Sequence, residues 1–418
     1  MAHPSKDIVG TDGSELERKR IVLGITGSAS AYKAADIARA FMRHGADVHA
    51  VMTQGAQEII HPNLMEWATG NPVVTKLTGK VEHVKFTTGQ EKADLVIIAP
   101  ATANTIGKIA AGIDDTPVTS YVSSALGAAI PIVIAPAMHD TMIKHPIIEG
   151  NINQLRKVGV TVLLPTLMEG KAKLADVESI LEAVIMALAK RDLEGLNVLI
   201  TGGPTVEPID PVRAVTNRSS GKMAVALAKV AARRGAKVTL VYGPGSAPPP
   251  NSVRTVSVRT AEEMLREVKR ELSGGGYHMM IAAAAVSDYR PKEVHTKKIS
   301  SRNPRLTIEL ERTPKIIDIV KNVSAKTFLV IFKAEHAIPP GELVQRGRER
   351  MQTVKADMAV VNDVGREGIG FGSDSNEVMV IHKDGTTKLL RSATKLDIAE
   401  QLLTLALHQF RGKRNRGR

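Results

Sequence analysis

The chain contains no cysteine, which excludes disulfides and thiolate metal sites. Aromatic residues make up only 3% of it, too few to favour a function built on base stacking. No uninterrupted apolar segment approaches the roughly 20 residues that a membrane-crossing helix needs. Residues 1–20, MAHPSKDIVGTDGSELERKR, lack the apolar stretch of a secretory signal, so no signal peptide is expected there. A cytoplasmic location is the default expectation, with no membrane partner. Acidic residues are in deficit, 43 against 56 Lys and Arg, for a net charge of +13. Arg411, Lys413, Arg414, Arg416 and Arg418 hold part of the excess and read as a frayed, solvated tail. The remainder suits steering of anionic, phosphorylated substrates. Charge is the only support for a nucleic-acid-binding protein. That reading would need affinity that survives deletion of residues 411–418 and falls steeply with salt.

What the chain does hold is one plan written twice. At 418 residues it has room for two or three domains. IVLGITGSASAYKAADIARAFMRHGADVHAVMT begins at Ile21, and NVLITGGPTVEPIDPVRAVTNRSSGKMAVALAKVAARRGAKVTLVYGP begins at Asn197. Each is an apolar run ending in Thr-Gly (Thr26-Gly27, Thr201-Gly202), then a helix, then Gly-Ala and a second apolar run. Ala34, Ile37, Ala38 and Phe41 stripe the first helix; Ala224, Leu227, Ala228 and Ala231 stripe the second. Strand end and helix stripe lie 8 residues apart in the first copy (26 to 34) and 23 in the second (201 to 224), an insertion of 15. In a βαβ unit that is where phosphates dock, because backbone N–H groups and the helix dipole converge there.

The fold class is α/β, two doubly wound domains. Ala93–Pro100, Ile130–Pro136 and Val160–Leu164 read as buried parallel strands, with a helix from about Ala175 to Lys190. The boundary falls in Arg191–Leu196. Residues 18–191 and 192–410 are then the two domains, after a disordered segment 1–17 and before a basic tail 411–418. In the second half, strands are expected at Tyr277–Ala285, Thr327–Phe332 and Asp357–Val361. Glu377–His382 and Thr387–Arg391 flank Lys383-Asp384-Gly385 as an added hairpin, which makes that sheet mixed. A last helix starts near Thr394 with Ile398, Leu402 and Leu405 on one face.

Neither Gly turn spells G-x-G-x-x-G, and neither second strand ends on an acid (Val51-Met52-Thr53, Val241-Tyr242-Gly243). This disfavours NAD. A mononucleotide held by Gly27, Ser28 and Ser30 fits better, although a plain structural turn would read the same locally.

Several motifs, in order, carry a resemblance over residues 18–408. In the first half they are Gly27–Lys33 (GSASAYK), Ala99–Asn104 (APATAN), Pro136–His139 with Met142, and His83 within VEHVKF. In the second half they are Thr201–Arg213, Thr216–Met223 (TNRSSGKM), Ala284–Arg290 (AAVSDYR), Lys298-Ile299, Phe332 and Val361–Asp363. The chain resembles the bifunctional phosphopantothenoylcysteine decarboxylase and phosphopantothenate–cysteine ligase family of coenzyme A biosynthesis, in its archaeal-like form. The resemblance implies FMN in the first domain, held by Gly27, Ser28, Ser30, Thr53, Thr102, Ala103 and Asn104. His83 is implied as acid/base, and His139, Met142, Lys171 and Lys173 as substrate contacts. In that family the flavin carries the electrons that allow CO₂ to leave phosphopantothenoylcysteine. For the second domain it implies CTP with Mg²⁺ (or Mn²⁺), 4'-phosphopantothenate and cysteine, joined through an acyl-cytidylate. Asn217 and Lys298 are implied as catalytic. Substrate contacts are implied at Ala282, Ala283, Ala284, Asp288, Lys298, Pro314, Lys315, Ile316, Ile317, Phe332, Arg350 and Lys355. No metal ligand can be assigned. A homo-oligomer is implied, with trimeric decarboxylase and dimeric ligase contacts.

Three departures stand out. His139 replaces the Asn of the bacterial pattern and reads as a substrate-carboxylate contact or a structural His. The bacterial flap cysteine, proton donor for the final step, has no counterpart in Met168–Leu174 (MEGKAKL). Glu169, Lys171 or Lys173 would have to replace it, or both lysines hold the substrate phosphate. The alternative is an active ligase joined to an impaired decarboxylase. The family's KIKK is Lys-Ile-Ser-Ser here.

Overall fold

The computed structural model describes residues 3–89, 91–168, 171–300, 305–365, 370 and 372–416, without the side chains of 166–168, 171–172 and 414–416. The chain divides into two compact units, Met1–Ala189 and Lys190–Arg418. No helix among the described residues is long and apolar enough to cross a membrane.

The first unit is a five-stranded parallel sheet in the order Asp47–Met52, Arg20–Ile25, Leu95–Ala101, Ile132–Pro136, Thr161–Val162. Both faces are covered, so the strands read as continuous apolar runs. Side chains alternate between two cores. Leu23 and Ile25 join the cluster under Ala34–Arg43 and Val177–Leu188, while Val22 and Ile98 join the one under Pro117–Gly127. The helical stripe Ala34, Ile37, Ala38 and Phe41 is completely buried.

The second unit repeats the plan on a larger sheet. Arg254–Ser257, Lys237–Tyr242, Asn197–Gly202, Met279–Ala282, Phe328–Glu335 and Met358–Asp363 run parallel in that order. Ser375–His382 and Thr387–Thr394 follow antiparallel. Gly385, at φ +86°, turns the hairpin. The insertion after Thr201 builds an antiparallel pair, Val206–Pro208 with Ala214–Thr216, before the turn that starts Lys222–Arg233. Tyr289–Pro291 and Leu310–Arg312 form a second such pair. Sequence periodicity does not show three-residue strands.

Two expectations are corrected. Residues 3–17 are ordered against the first unit: Pro4–Ile8 form a 3-10 turn, Leu16 is completely buried, and Glu15 bonds His44 at 2.8 Å. Leu16 and Ile8 pack on the core, and Lys6, Glu15 and the backbone of Gly10, Asp12 and Leu16 bond to it, which outweighs the polar composition of that segment. The basic tail is not frayed at its start, because the last helix spans Lys395–Arg416. Arg411 donates to Asp192 O at 2.8 Å, and Lys413 bonds the buried Asp357 at 2.7 Å.

Candidate functional site

In open α/β sheets the strand order reverses at one point, and the loops beyond the strands' carboxyl ends part there to leave a crevice. Each unit has a cavity at such a point.

In the first unit the reversal lies at Arg20–Ile25, between Asp47–Met52 and Leu95–Ala101. A cavity of about 520 Å³ opens beyond those ends. It is lined by Gly27, Ser28, Thr53, Thr102, Ala103, Asn104 and Met142 from the sequence expectations. Gln54, Gly55, Thr105, Lys108, Thr116, Ala137 and Met138 join them. The Thr26 hydroxyl ties the strand ends, donating to Pro100 O at 2.8 Å and accepting from Thr102 N at 3.0 Å. Thr53, Thr102 and Thr116 each cap a helix with the side-chain oxygen. Three helix N-termini therefore border a cavity in which Lys108, itself paired with Asp115 at 2.7 Å, is the one charged lining residue among the described residues. A Cβ at Gly27 would meet the Gly55 backbone at 3.0 Å, so any side chain at Gly27 would push these two turns apart by a few tenths of an ångström.

Asn104 is exposed, and its carboxamide has no hydrogen-bond partner among the described residues. Ser30 lies behind the wall, its N–H donating to the Ser28 hydroxyl at 3.4 Å. His83, on the single turn Glu82–Lys85, is half-buried and outside the lining. Its Nδ1 is buried with no hydrogen-bond partner among the described residues. His139 is exposed and caps Asp140–Ile143, with Nδ1 accepting from Thr141 N at 3.4 Å and 2.9 Å from the Thr141 hydroxyl. Its flanking Met138 and Met142 reach the cavity; the imidazole does not. Lys171–Lys173 pairs with Thr166–Met168 and with Met138–His139. Lys173 is half-buried. Glu169 and the Lys171 side chain lie outside the described residues.

In the second unit the reversal lies at Asn197–Gly202, beside Met279–Ala282. A cavity of about 580 Å³ there takes in Asn217, Ala282, Ala283, Ala284, Asp288, Lys315, Ile316, Ile317, Phe332 and Arg350. Asn217 donates both amide hydrogens to backbone, to Ala285 O and Val286 O at 3.1 Å each. Its carboxamide oxygen is the group left for a ligand. Asp288 pairs with Lys315, and Arg350 with Asp318. Gly221, at φ +79°, begins Lys222–Arg233, and a Cβ there would run into the Tyr242 hydroxyl. That hydroxyl donates to Ala247 O at 2.8 Å and lies 3.3 Å from Ser220 O. A buried phenol thus props the turn from beneath.

Three expected residues stand outside this lining. Lys298 is exposed on a segment whose Ile299 N–H bonds Asp210 at 3.1 Å. Pro314 is the exposed neighbour of Lys315. Lys355, at φ +54°, ends the helix Pro340–Thr353, its N–H on Gln352 O at 3.1 Å. The sequence reading missed Lys222, Glu335, Asn362, Asn376 and Lys395 as lining residues. Lys222 and Asn362 stood inside quoted motifs, whereas nothing local marks Lys395, at the end of the hairpin. Among the described residues no group of three His, Asp or Glu side chains could hold a metal ion.

Residues 10–189 match the Flavoprotein family, and residues 193–409 match the family described as DNA/pantothenate metabolism flavoprotein C-terminal domain. The chain is 49% identical to a protein of Thermococcus kodakarensis, covering 96% of this chain and 98% of that one. It is 34% identical to proteins of Methanocaldococcus jannaschii (96% and 97%) and Escherichia coli (96% and 100%). Each of the three is called coenzyme A biosynthesis bifunctional protein CoaBC.

Proposed function

The chain belongs to the family of bifunctional coenzyme A biosynthesis proteins, and from that premise we propose how its two cavities divide the work. The second unit condenses 4'-phosphopantothenate with cysteine at the expense of CTP. The first decarboxylates the product, phosphopantothenoylcysteine, to 4'-phosphopantetheine. The observation that carries this reading is the contrast between two cavities at equivalent places. One wall is almost uncharged, with three helix N-termini; the other holds Lys222, Lys315, Lys333, Arg350, Lys395, Asp288 and Glu335.

In the second unit the substrate carboxylate attacks the α-phosphorus of CTP and pyrophosphate leaves. The cysteine amine then attacks the acyl carbon and CMP leaves. Helix N-termini favour anions, so the Ser219–Gly221 turn receives the phosphates. Asn217 holds the turn at Ala285–Val286 in place, and its carboxamide oxygen is an acceptor for the incoming amine. Phe332 packs against the base. Mg²⁺ bound with the nucleotide would be held by one or two carboxylates together with the substrate phosphates and would neutralise their charge, a role open to Asp288 and Glu335.

In the first unit FMN, when bound, supplies the electron sink for loss of CO₂. The close Gly27–Gly55 approach and the bordering helix N-termini fit its phosphate, and the free Asn104 carboxamide fits the ring or the substrate carboxylate. His83 is the acid/base of this reading, and Lys173 anchors the substrate phosphate. The protein acts as a homo-oligomer in the cytoplasm. Incubating the purified chain with phosphopantothenate, cysteine, CTP and Mg²⁺ should release pyrophosphate, then CO₂, with a yellow flavin chromophore. A protein that stays colourless with FMN and releases no pyrophosphate would refute both halves.

A further inference from the structure

Lys395 is 7% exposed and lies in the wall of the second cavity. Its ammonium donates to Gly370 O at 3.2 Å and Ser373 O at 2.5 Å. Among the described residues no carboxylate bonds it. Carbonyl dipoles compensate a buried ammonium only in part. A second cation stands close by: the Lys222 ammonium donates to Gly372 O at 3.1 Å and pairs with Asp374 at 2.5 Å. The Asp374 side chain is 88% exposed, so water screens its half of the pair.

Both lysines also sit where their own helices disfavour them. Each is the first residue of a helix, Lys222–Arg233 and Lys395–Arg416, at the positive end of the macrodipole. Two cations and two helix N-termini thus converge on one cavity wall, and among the described residues the carboxylate bonded to either ammonium is the solvated Asp374. Burial lowers the Lys395 pKa, Lys222 lowers it further, and Asp374 opposes both. Each of these placements is unfavourable in the empty protein, and each becomes favourable beside a polyanion.

We propose that Lys395, with Lys222, forms the subsite for the polyphosphate of the nucleotide, so that Lys395 is a nucleotide-binding residue of the ligase. This rests on reading the cavity as the ligase site. A triphosphate suits it better than the monophosphate of the acid substrate. It matches two cations and two dipoles with a higher charge, and it adjoins the Ser219–Gly221 turn.

The test is titration of the full chain in Mg²⁺ with CTP, cytidine and inorganic pyrophosphate, for wild type, Lys395→Met, Lys395→Arg and Lys222→Met. Losing a charge-assisted bond to phosphate should weaken CTP and pyrophosphate binding about tenfold or more in Lys395→Met. Cytidine should be unaffected and Lys395→Arg should recover part of the loss. Lys222→Met, at a half-exposed site, should shift the same ratio less, and it decides the question if Lys395→Met does not fold. An unchanged CTP-to-cytidine ratio in folded variants overturns the subsite. So does a loss that falls on phosphopantothenate instead. A wild type that binds pyrophosphate but not CTP would refute the ligase reading and leave the polyphosphate subsite standing.

Discussion

Gly221→Ala should disable the ligase while sparing the decarboxylase. At φ +79° an alanine pays roughly 1–2 kcal/mol in left-handed strain. Its methyl also occupies the place of the Tyr242 hydroxyl. Moving that phenol loses its bond to Ala247 O, at about 1 kcal/mol. The expected cost is therefore about 2–3 kcal/mol, borne by the second unit. The turn that shifts is the one assigned to the phosphates, so pyrophosphate release should fall by tenfold or more. CO₂ release from supplied phosphopantothenoylcysteine should stay within about twofold, since that site lies in the other unit. Adding Tyr242→Phe removes the colliding oxygen and should recover part of the lost stability. Denaturant unfolding and the two separate assays give the readouts. A variant with unchanged stability and full ligase activity would refute the steric argument.

Three further outcomes are expected. Asn104→Ala should lower flavin affinity or decarboxylation without altering the ligase. Stability should change by less than about 0.5 kcal/mol, because the side chain is exposed and bonds nothing described. Glu15→Gln should destabilise the first unit in a pH-dependent way. The Glu15 hydrogen bond raises the His44 pKa despite burial, so that contribution is complete below about pH 6.5 for as long as Glu15 is ionised, above about pH 4.3. It disappears as pH rises through the raised value, and wild-type and variant unfolding curves should converge there. Asp357→Ala should cost about 3 kcal/mol or more by urea denaturation, because Asp357 is 2% exposed and Lys321 would be left buried without its carboxylate. Burial opposes ionisation of Asp357, but the bonds from Lys321 and Lys413 outweigh it and hold the carboxyl below its usual range. The pair's contribution is therefore present above about pH 4 and lost in acid.

Much of the architecture was legible because it is periodic. The stripes at Ala34–Phe41 and Ala224–Ala231 are buried as their spacing requires, and the strands before Thr26 and Thr201 end at the two cavities. Sites that lie within one strand–turn–helix unit, such as Gly27-Ser28 and Thr102–Asn104, can be read from local order. The Thr116-Pro117 cap was equally visible as a helix start and was missed because its place at the cavity depends on a distant strand.

The chain alone dictates the two repeated units, the glycines at their turns, the excess of cations and the absence of any thiol, since these follow from composition and short-range spacing. Folding decides which charges meet. Lys222 and Lys395 are separated by most of the second unit in sequence and reach one wall because the hairpin returns the last helix to the sheet. Leu16 and Arg411 become ordered by partners far along the chain. Burial and pairing are long-range properties, and no local pattern encodes a neighbour that arrives only when the sheet closes.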